Sequence, residues 1–214
     1  MVKKRDRTKK VARGAARKQP RERFLVLCEG EATEPDYLRG FSAWCRNPLV
    51  EVVVPREHGV PLTLVERAVE RQNLAEKTAK KEKDANLQFD RVWCVFDVDE
   101  HPNLNDAIQK ARSGGINLAV SNPCFELWVL LHFREQPGAR HHSKLRALLG
   151  AHIPGYDKHL DFKVLESGYF EAVKRAERLV REARSVGEDS RNPTTTMHHL
   201  TEEIRLGTRS AEAP

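Results

Sequence analysis

The chain has 214 residues, of which 39% are hydrophobic and 32% are charged. This length suffices for one sizeable hydrophobic core with appendages, and the composition is typical of a soluble globular protein. No run of apolar residues approaches the roughly 20 that a helix needs to span a bilayer, so the sequence argues against a membrane protein.

The positive charge is concentrated at the N-terminus. The chain carries a formal net charge of +6, with 37 Lys and Arg against 31 Asp and Glu. Nine of the basic residues and one acid lie in the first twenty positions, so residues 21–214 carry 28 basic and 30 acidic side chains, a net charge of −2. We expect residues 1–20 to form a disordered basic arm, which is either a solubilising terminus or a phosphate-binding segment. No apolar segment follows these charges, which excludes a cleaved secretory signal.

The cysteines give no sign of a disulfide framework or of a zinc site. Cys28, Cys45, Cys94 and Cys124 are widely spaced and form no C-x-x-C pair. Three of them lie in or beside strongly apolar segments, where a free thiol behaves as a small hydrophobic group. We expect reduced thiols in a cytoplasmic protein, and we assign no chemistry to them.

Strand and helix patterns alternate in the first third of the chain. Residues 24–28 are a continuous apolar run that stops at a Glu-Gly pair, which is typical of a strand buried on both faces. Thr33 then precedes two acids and a proline, and apolar side chains follow at helical spacing, which predicts a helix. Residues 49–54 predict a second strand, and an amphipathic pattern predicts a long helix from residue 61 to about residue 83.

The alternation continues to the middle of the chain. Residues 91–96 predict a third buried strand, and residues 104–112 predict a helix that ends at a Ser-Gly-Gly stop. Residues 116–120 predict a fourth strand and residues 125–133 a very apolar helix. Four strands that alternate with four helices predict an α/β fold with a parallel sheet of about four strands, in the doubly wound order 2-1-3-4. We assign this core to residues 21–135.

The rest of the chain predicts a loop-rich and helical extension over residues 136–207. His, Gly and Pro are frequent in residues 137–170, where we expect loops and one short helix. Apolar spacing predicts two amphipathic helices, around residues 173–183 and 197–204. We expect a flexible tail over residues 208–214.

Acidic residues follow two of the predicted strands. Glu29 ends the first strand and Asp97 the third, and Asp99 projects like Asp97 because alternate residues of a strand point the same way. In the predicted order these strands are neighbours, and their carboxyl ends share the rim where open α/β sheets bind ligands. Crowded carboxylates repel each other unless a hard cation such as Mg²⁺ binds them. We therefore predict a metal site at Glu29, Asp97 and Asp99, with Gly30 admitting a substrate phosphate; solvated acids that cap strand ends are the alternative.

Several blocks of the sequence resemble known proteins. Glu29-Gly30 and Asp97-x-Asp99 resemble the signature motifs of the Toprim domain of topoisomerases, primases and overcoming-lysogeny nucleases. Four longer blocks resemble the RloB-like family, restriction-linked proteins associated with abortive phage defence. These blocks are LCEGEATEPDY at residues 27–37, VWCVFDVDEH at 92–101, SNPCFELW at 121–128 and NPTTTMHHL at 192–200. The resemblance covers nearly the whole chain.

The resemblance implies a metal-dependent chemistry. It implies that Glu29, Asp97 and Asp99 bind Mg²⁺ or Mn²⁺ and that Glu29 doubles as an acid or base. The chain departs from one Toprim pattern, since many such domains read E-G-x-x-D where this chain has Thr33. The role of an acid after the glycine is therefore open. A companion defence ATPase is also implied, although nothing in the sequence itself indicates it.

Four further residues are candidates for the same site. Glu34 lies in a family-like block and is a candidate additional metal ligand. Asn122 and Glu126, in another block, are candidates for the rim of the site, where they either contact substrate or bind a second ion. His101 is the histidine nearest to the acidic strand end, where it either protonates a leaving group or is a surface turn residue.

The acidic residues predict a metal-dependent phosphodiester chemistry, and the resemblance implies a nuclease that acts in anti-phage defence. Its substrate is DNA or RNA, transfer RNA included, and both its oligomeric state and the number of metal ions stay open. The alternatives are a non-catalytic Toprim-like sensor or partner subunit of a defence ATPase, and another D-x-D enzyme such as a phosphatase or transferase. The chain has no G-x-x-x-x-G-K-[ST] motif, which excludes P-loop chemistry. The histidines at 141, 142, 152 and 159 match no zinc pattern and predict a polar surface loop.

Overall fold

The computed structural model describes residues 21–98, 101 and 103–208. Its strands are β1 (Glu22–Cys28), β2 (Val50–Val53), β3 (Arg91–Asp97), β4 (Asn117–Asn122) and β5 (Thr194–Thr195). They form one sheet in the order β2-β1-β3-β4-β5. The first four strands pair in parallel, and β5 pairs antiparallel with β4. The predicted α/β class and the order of the four parallel strands are confirmed.

Helices cover both faces of this sheet. They are α1 (Thr33–Cys45), α2 (Pro61–Glu82), α3 (Leu104–Gly114), α4 (Glu126–Leu131), α5 (His142–Gly150), α6 (Tyr169–Ser185) and α7 (Met197–Leu206). Helices α2 and α3 contribute to one hydrophobic core, and the other five contribute to a second, larger core on the opposite face. Every described helix is thus anchored to the sheet or to a neighbour through its apolar side.

The central strand β1 explains the continuous apolar run at the start of the sequence. Phe24, Val26 and Cys28 belong to the larger core, whereas Leu25 and Leu27 belong to the smaller one. Alternate side chains point to opposite faces, so a strand with helices on both sides needs an apolar residue at every position. The strand stops at residue 28 because both cores end there and the polar rim begins.

Two sets of contacts join the extension to the rest of the protein, one at the sheet and one at the helices. Strand β5 pairs with the end of β4, where the hydroxyl of Thr195 lies 2.9 Å from that of Ser121. The buried ring of His132 lies 3.2 Å from the Tyr37 hydroxyl and 2.9 Å from the Leu165 carbonyl, which links α1, α4 and the extension. Residues 136–207 therefore add a strand to the sheet of residues 21–135 and several helices to its larger core.

Several element boundaries differ from the prediction, and three of the differences lie at β4, β5 and the helix that follows β4. The apolar helix predicted at residues 125–133 is shorter, because the chain turns after Leu131 while its apolar side chains continue into the core. Strand β5 has only two residues, too few for a periodic pattern to indicate. Strand β4 runs on to Asn122, because its last residues pair with β5.

Some predictions concern residues outside the described part of the chain. The predicted basic arm at residues 1–20 and most of the predicted tail lie there. Within the described part, the Thr208 N–H donates to Glu22 Oε2 at 2.8 Å. A search of the described helices finds none with the length and apolar character that crossing a membrane requires.

Candidate metal centre

The carboxyl ends of β1 and β3 bring two acids together. The strands are adjacent, with Cys28 paired to Val95, and the Glu29 N–H donates to the Val95 carbonyl at 2.9 Å. The Asp97 N–H in turn donates to Glu29 Oε2 at 2.9 Å. Two acids that are distant in sequence therefore meet at one rim, as the strand order predicts. Asp99, the third acid of the predicted site, lies outside the described residues.

The first turn of α1 adds a buried carboxylate. Glu34 is 6% exposed, and its Oε1 accepts a hydrogen bond from the Gly30 N–H at 3.2 Å. A Cβ atom on Gly30 would overlap this carboxylate, which explains why the position after Glu29 lacks a side chain. The group that packs closely against Gly30 is thus the Glu34 carboxylate. The predicted approach of a substrate phosphate to Gly30 stays a prediction.

The end of β4 and the start of α4 supply further donor atoms. Strand β4 lies beside β3, with Asp97 paired to Ser121, so residues just after β4 reach the same rim. One donor atom each of Asp97, Cys124 and Glu126 lies within 4.8 Å of the other two. No other group of three such residues at this spacing occurs in the described ranges. These atoms lie close enough together to hold one metal ion.

Burial and like charges raise the proton affinity of the cluster. Removal from water, followed by the charges of Glu126 and Glu29, raises the pKa of Glu34 to about 7. Removal from water, followed by the neighbouring carboxylates, also raises the pKa of Asp97 well above its ordinary value. Crowded carboxylates are stabilised either by protons or by a cation. Near neutral pH the cluster is therefore poised to exchange protons for a metal ion.

Cys124 is a member of this cluster that the sequence analysis left without a role. Burial raises the pKa of its thiol far above the ordinary value, and the charges of Glu126 and Asp97 add to the shift. The thiol is therefore protonated at neutral pH when no cation is bound. A metal ion that binds the sulfur would have to displace this proton, whereas the carboxylate oxygens suit a hard ion such as Mg²⁺ or Mn²⁺.

The extension completes the wall of the site. Arg146 Nε lies 3.4 Å from Glu126 Oε1, and the Tyr156 hydroxyl lies 3.5 Å from the same oxygen atom. The Tyr156 hydroxyl also lies 3.1 Å from Thr33 Oγ1, at the start of α1. No sequence pattern points to Tyr156, because it lies in a segment with weak periodicity.

Most of the predicted site residues share one open cavity. The cavity has a volume of about 510 Å³ and is lined in part by Glu29, Gly30, Glu34, Asp97 and Glu126. Four carboxylates therefore converge at the carboxyl end of the parallel strands. Oxygen-rich sites of this kind suit a hard divalent cation, which also accepts phosphate oxygens and water as ligands.

Two other predicted residues lie outside the lining of this cavity. His101 Nε2 lies 2.7 Å from Glu29 Oε1, so the imidazole adjoins the cluster from the loop that follows β3. The Asn122 side chain instead donates to the Ser190 carbonyl, at the edge of the extension. The structure thus brings His101 to the acids and leaves Asn122 apart from them.

Fold and site together define an α/β protein with an acidic cavity at the carboxyl rim of its parallel strands. Comparison with protein families gives the particular family. The family model described as RloB-like protein matches residues 24–204, so the chain belongs to the RloB-like family. A search of curated proteins and a search of solved structures each found no match.

Proposed function

We propose that this protein is a divalent-cation-dependent phosphodiesterase that cleaves nucleic acid as part of an anti-phage defence system. The observation that carries the proposal is the convergence of carboxylates from Glu29, Glu34, Asp97 and Glu126 in one cavity. Membership of the RloB-like family supports the defence role. The resemblance of the Glu29-Gly30 and Asp97-x-Asp99 motifs to the Toprim domain supports the nuclease chemistry.

The carboxylates are suited to hold the cation. We assign this role to Glu29, Asp97, Asp99 and Glu34, with Glu126 beside Asp97 in the same cluster. A bound Mg²⁺ or Mn²⁺ ion supplies activation of the attacking oxygen and charge neutralisation at the phosphate. The hydrogen bond from Gly30 fixes the Glu34 carboxylate, and the Asp97 N–H fixes that of Glu29. The protein thereby orients the oxygen atoms before any ion arrives.

Glu29 and His101 are suited to handle protons. Their 2.7 Å contact joins the imidazole Nε2 to Glu29 Oε1, while Glu29 Oε2 accepts from the Asp97 N–H. A carboxylate that holds an imidazole in this way fixes the ring and shares a proton with it. We infer that the pair returns a proton to the leaving oxygen of the cleaved bond.

Partners follow from charge and from family resemblance. Nine Lys and Arg residues in positions 1–20 would bind phosphates independently of sequence, with an affinity that falls as salt rises. We infer that this segment adds to the affinity for DNA or RNA. A companion ATPase is inferred from the family resemblance alone.

The proposal is tested by a cleavage assay on the full chain. Supercoiled plasmid and bulk transfer RNA are incubated separately with the protein, in Mg²⁺ or Mn²⁺ and in chelator. We expect cation-dependent cutting of at least one substrate, and its loss in Asp97→Asn. Asp106→Asn, an exposed acid on α3, is the matched control and should cut like the unaltered protein.

The outcomes separate the candidate functions. Cutting that survives in Asp97→Asn would assign the activity to a contaminant or to another site. If the protein binds Mn²⁺ but cuts neither substrate, also with its companion ATPase present, a non-catalytic sensor or partner subunit becomes the better account.

A further inference from the structure

A short segment of the extension lines one side of the acidic cavity. Residues 156–160 are fastened to the first turn of α1: Thr33 Oγ1 donates to the Lys158 carbonyl at 2.7 Å, and His159 Nδ1 lies 3.1 Å from Asp36 Oδ2. This turn also carries Glu34, whose buried carboxylate lines the cavity. The segment is therefore positioned by the same helix end that builds the candidate metal centre.

Lys158 adopts an uncommon backbone conformation in this segment. Its φ of 81° lies in the left-handed region, which glycine and asparagine favour and which lysine rarely adopts. Lys158 is exposed and is one of the residues that line the cavity. Within the described ranges its ammonium group forms no ion pair and no hydrogen bond, so its charge is available to a ligand. An uncommon conformation that persists at the edge of a site is a reason to look for a role of the side chain.

Arg146 is the second cation on this wall. Its Nε lies 3.4 Å from Glu126 Oε1, and its side chain is 46% exposed. Its terminal N–H groups therefore remain available at the edge of the cavity. A guanidinium group binds phosphate oxygens through paired N–H donors, and a lysine does so as a point charge. Carboxylates at the centre of the cavity thus repel a phosphate unless a cation is bound, whereas these side chains attract one.

We propose that Lys158 and Arg146 bind a phosphate adjacent to the one that is cleaved, which makes the substrate a polynucleotide strand rather than an isolated phosphate ester. The inference rests on the proposed function, because the scissile phosphate is taken to lie at the carboxylate cluster. Arg146 contacts the cluster at Glu126, and Lys158 lines the same cavity, so the two cations are available to a phosphate next to the scissile one. Lys158 is a substrate-positioning residue in this account.

The first test compares two substrates of the same chemistry. The full chain is assayed in Mn²⁺ with a single-stranded oligonucleotide and with bis(para-nitrophenyl) phosphate, a diester that has no neighbouring phosphate. We expect Lys158→Gln to lower kcat/KM for the oligonucleotide about tenfold and to leave hydrolysis of the small diester unchanged. Lys163→Gln, an exposed lysine of the same extension, is the matched control and should change neither.

A binding measurement tests the same inference without cleavage. The dissociation constant for the labelled oligonucleotide is measured in Ca²⁺ at several salt concentrations, by fluorescence anisotropy. Loss of one phosphate contact should reduce the slope of log Kd against log salt by about 0.7 to 1 in Lys158→Gln. Lys158→Gly should show the same reduction, although glycine suits this backbone conformation, so a folding defect cannot explain the loss.

The results that overturn the inference differ from those that overturn the proposed function. Equal losses on both substrates, or an unchanged salt slope in both Lys158 variants, would remove the flanking-phosphate role while leaving a phosphodiesterase in place. If the unaltered protein hydrolyses neither substrate, the proposed function fails, and the salt slopes still decide whether Lys158 contacts a phosphate. An oligonucleotide that does not bind at all overturns the inference outright.

Discussion

Glu34 couples the folding stability of the protein to pH. Burial raises the pKa of its carboxyl from an ordinary 4.5 to about 7, so between these values the folded protein holds a proton that the unfolded chain has lost. The contribution of Glu34 to stability is therefore fully present below about pH 4.5 and is lost as the pH rises to about 7. The loss amounts to about 3 kcal/mol. Glu34→Gln cannot ionise, and the free energy of unfolding measured with denaturant should lack this decline.

A matched acid controls for general effects of charge. Glu66→Gln removes an exposed carboxylate on α2 and should keep the pH dependence of the unaltered protein. Both variants are measured in chelator, since a bound cation would replace the proton. If Glu34→Gln retained the full decline between these pH values, another group would be the source of it.

Gly30 controls the position of the same carboxylate. In Gly30→Ala the added Cβ overlaps the Glu34 carboxylate, which must move away from the Gly30 N–H and from the cavity. We expect the affinity for Mn²⁺, measured by isothermal titration calorimetry, to fall about ten- to a hundredfold, as when a group that orients a ligand is lost. Gly150→Ala, whose Cβ would meet open space, should bind Mn²⁺ normally. Unchanged affinity in Gly30→Ala would show that Glu34 does not contribute to the site.

At the residue scale the sequence predicts those site residues that follow regular elements. Glu29 directly follows β1 and Asp97 is the last residue of β3. A residue at the carboxyl end of a parallel strand lies at the rim of the sheet, so the strand pattern alone predicts their position. Cys124 and Tyr156 could not be found in this way. Cys124 reads as one more apolar residue beside a buried helix, and Tyr156 reaches Glu126 only because distant segments fold together.

At the element scale, strand order is the most predictable feature. Each of the four parallel strands is an apolar run followed by a helix, so alternation and the preference for a ligand site at the switch point suffice to predict 2-1-3-4. Strand β5 could not be predicted, because two threonines are too few to show the alternation of apolar and polar residues that indicates a strand. Its place depends on tertiary contacts with β4, such as the hydrogen bond from the Val120 N–H to Thr196 Oγ1 at 2.9 Å.

The junction of α1, α4 and the extension should be sensitive to acid. Burial lowers the pKa of His132 from 6.5 to about 4. Between these pH values the imidazole is protonated in the unfolded chain and neutral in the folded protein. Stability from His132 is present above about pH 6.5 and is lost as the pH falls through about 4, by about 3 kcal/mol. His132→Gln removes the titrating group, and denaturant unfolding should show a shallower loss in acid. The slope is opposite in sign to that of Glu34 over an overlapping pH range, so each effect is measured as the difference between its variant and the unaltered protein.

An exposed histidine serves as the control for this junction. His152→Gln removes an exposed imidazole and should unfold in acid like the unaltered protein. An identical acid loss in His132→Gln and in the unaltered protein would assign the sensitivity to other buried histidines, such as His198, whose pKa burial also lowers to about 4.

At the scale of the whole molecule, the extension and the α/β core form the site jointly. The core supplies the carboxylates, whereas the extension supplies Arg146, Tyr156 and Lys158 to the wall around them. A truncated core would keep the acids without the cations that are proposed to hold substrate. The same division explains why motif analysis found the acidic half of the cavity and missed the other half.

The acidic cavity also makes metal binding and global stability depend on each other. An ion that binds only the folded state, at a hundred times its dissociation constant, stabilises the protein by about 2.7 kcal/mol. Burial, followed by the charges of neighbouring carboxylates, raises the pKa of Asp97, and this opposes folding at neutral pH when no ion is present. Asp97→Asn should therefore be as stable as the unaltered protein or more stable in chelator, yet less stable in Mn²⁺. Differential scanning calorimetry in both conditions measures this reversal, and Asp106→Asn should show the full gain from Mn²⁺. A variant that is destabilised equally in both conditions would mean that Asp97 supports the fold and not the ion.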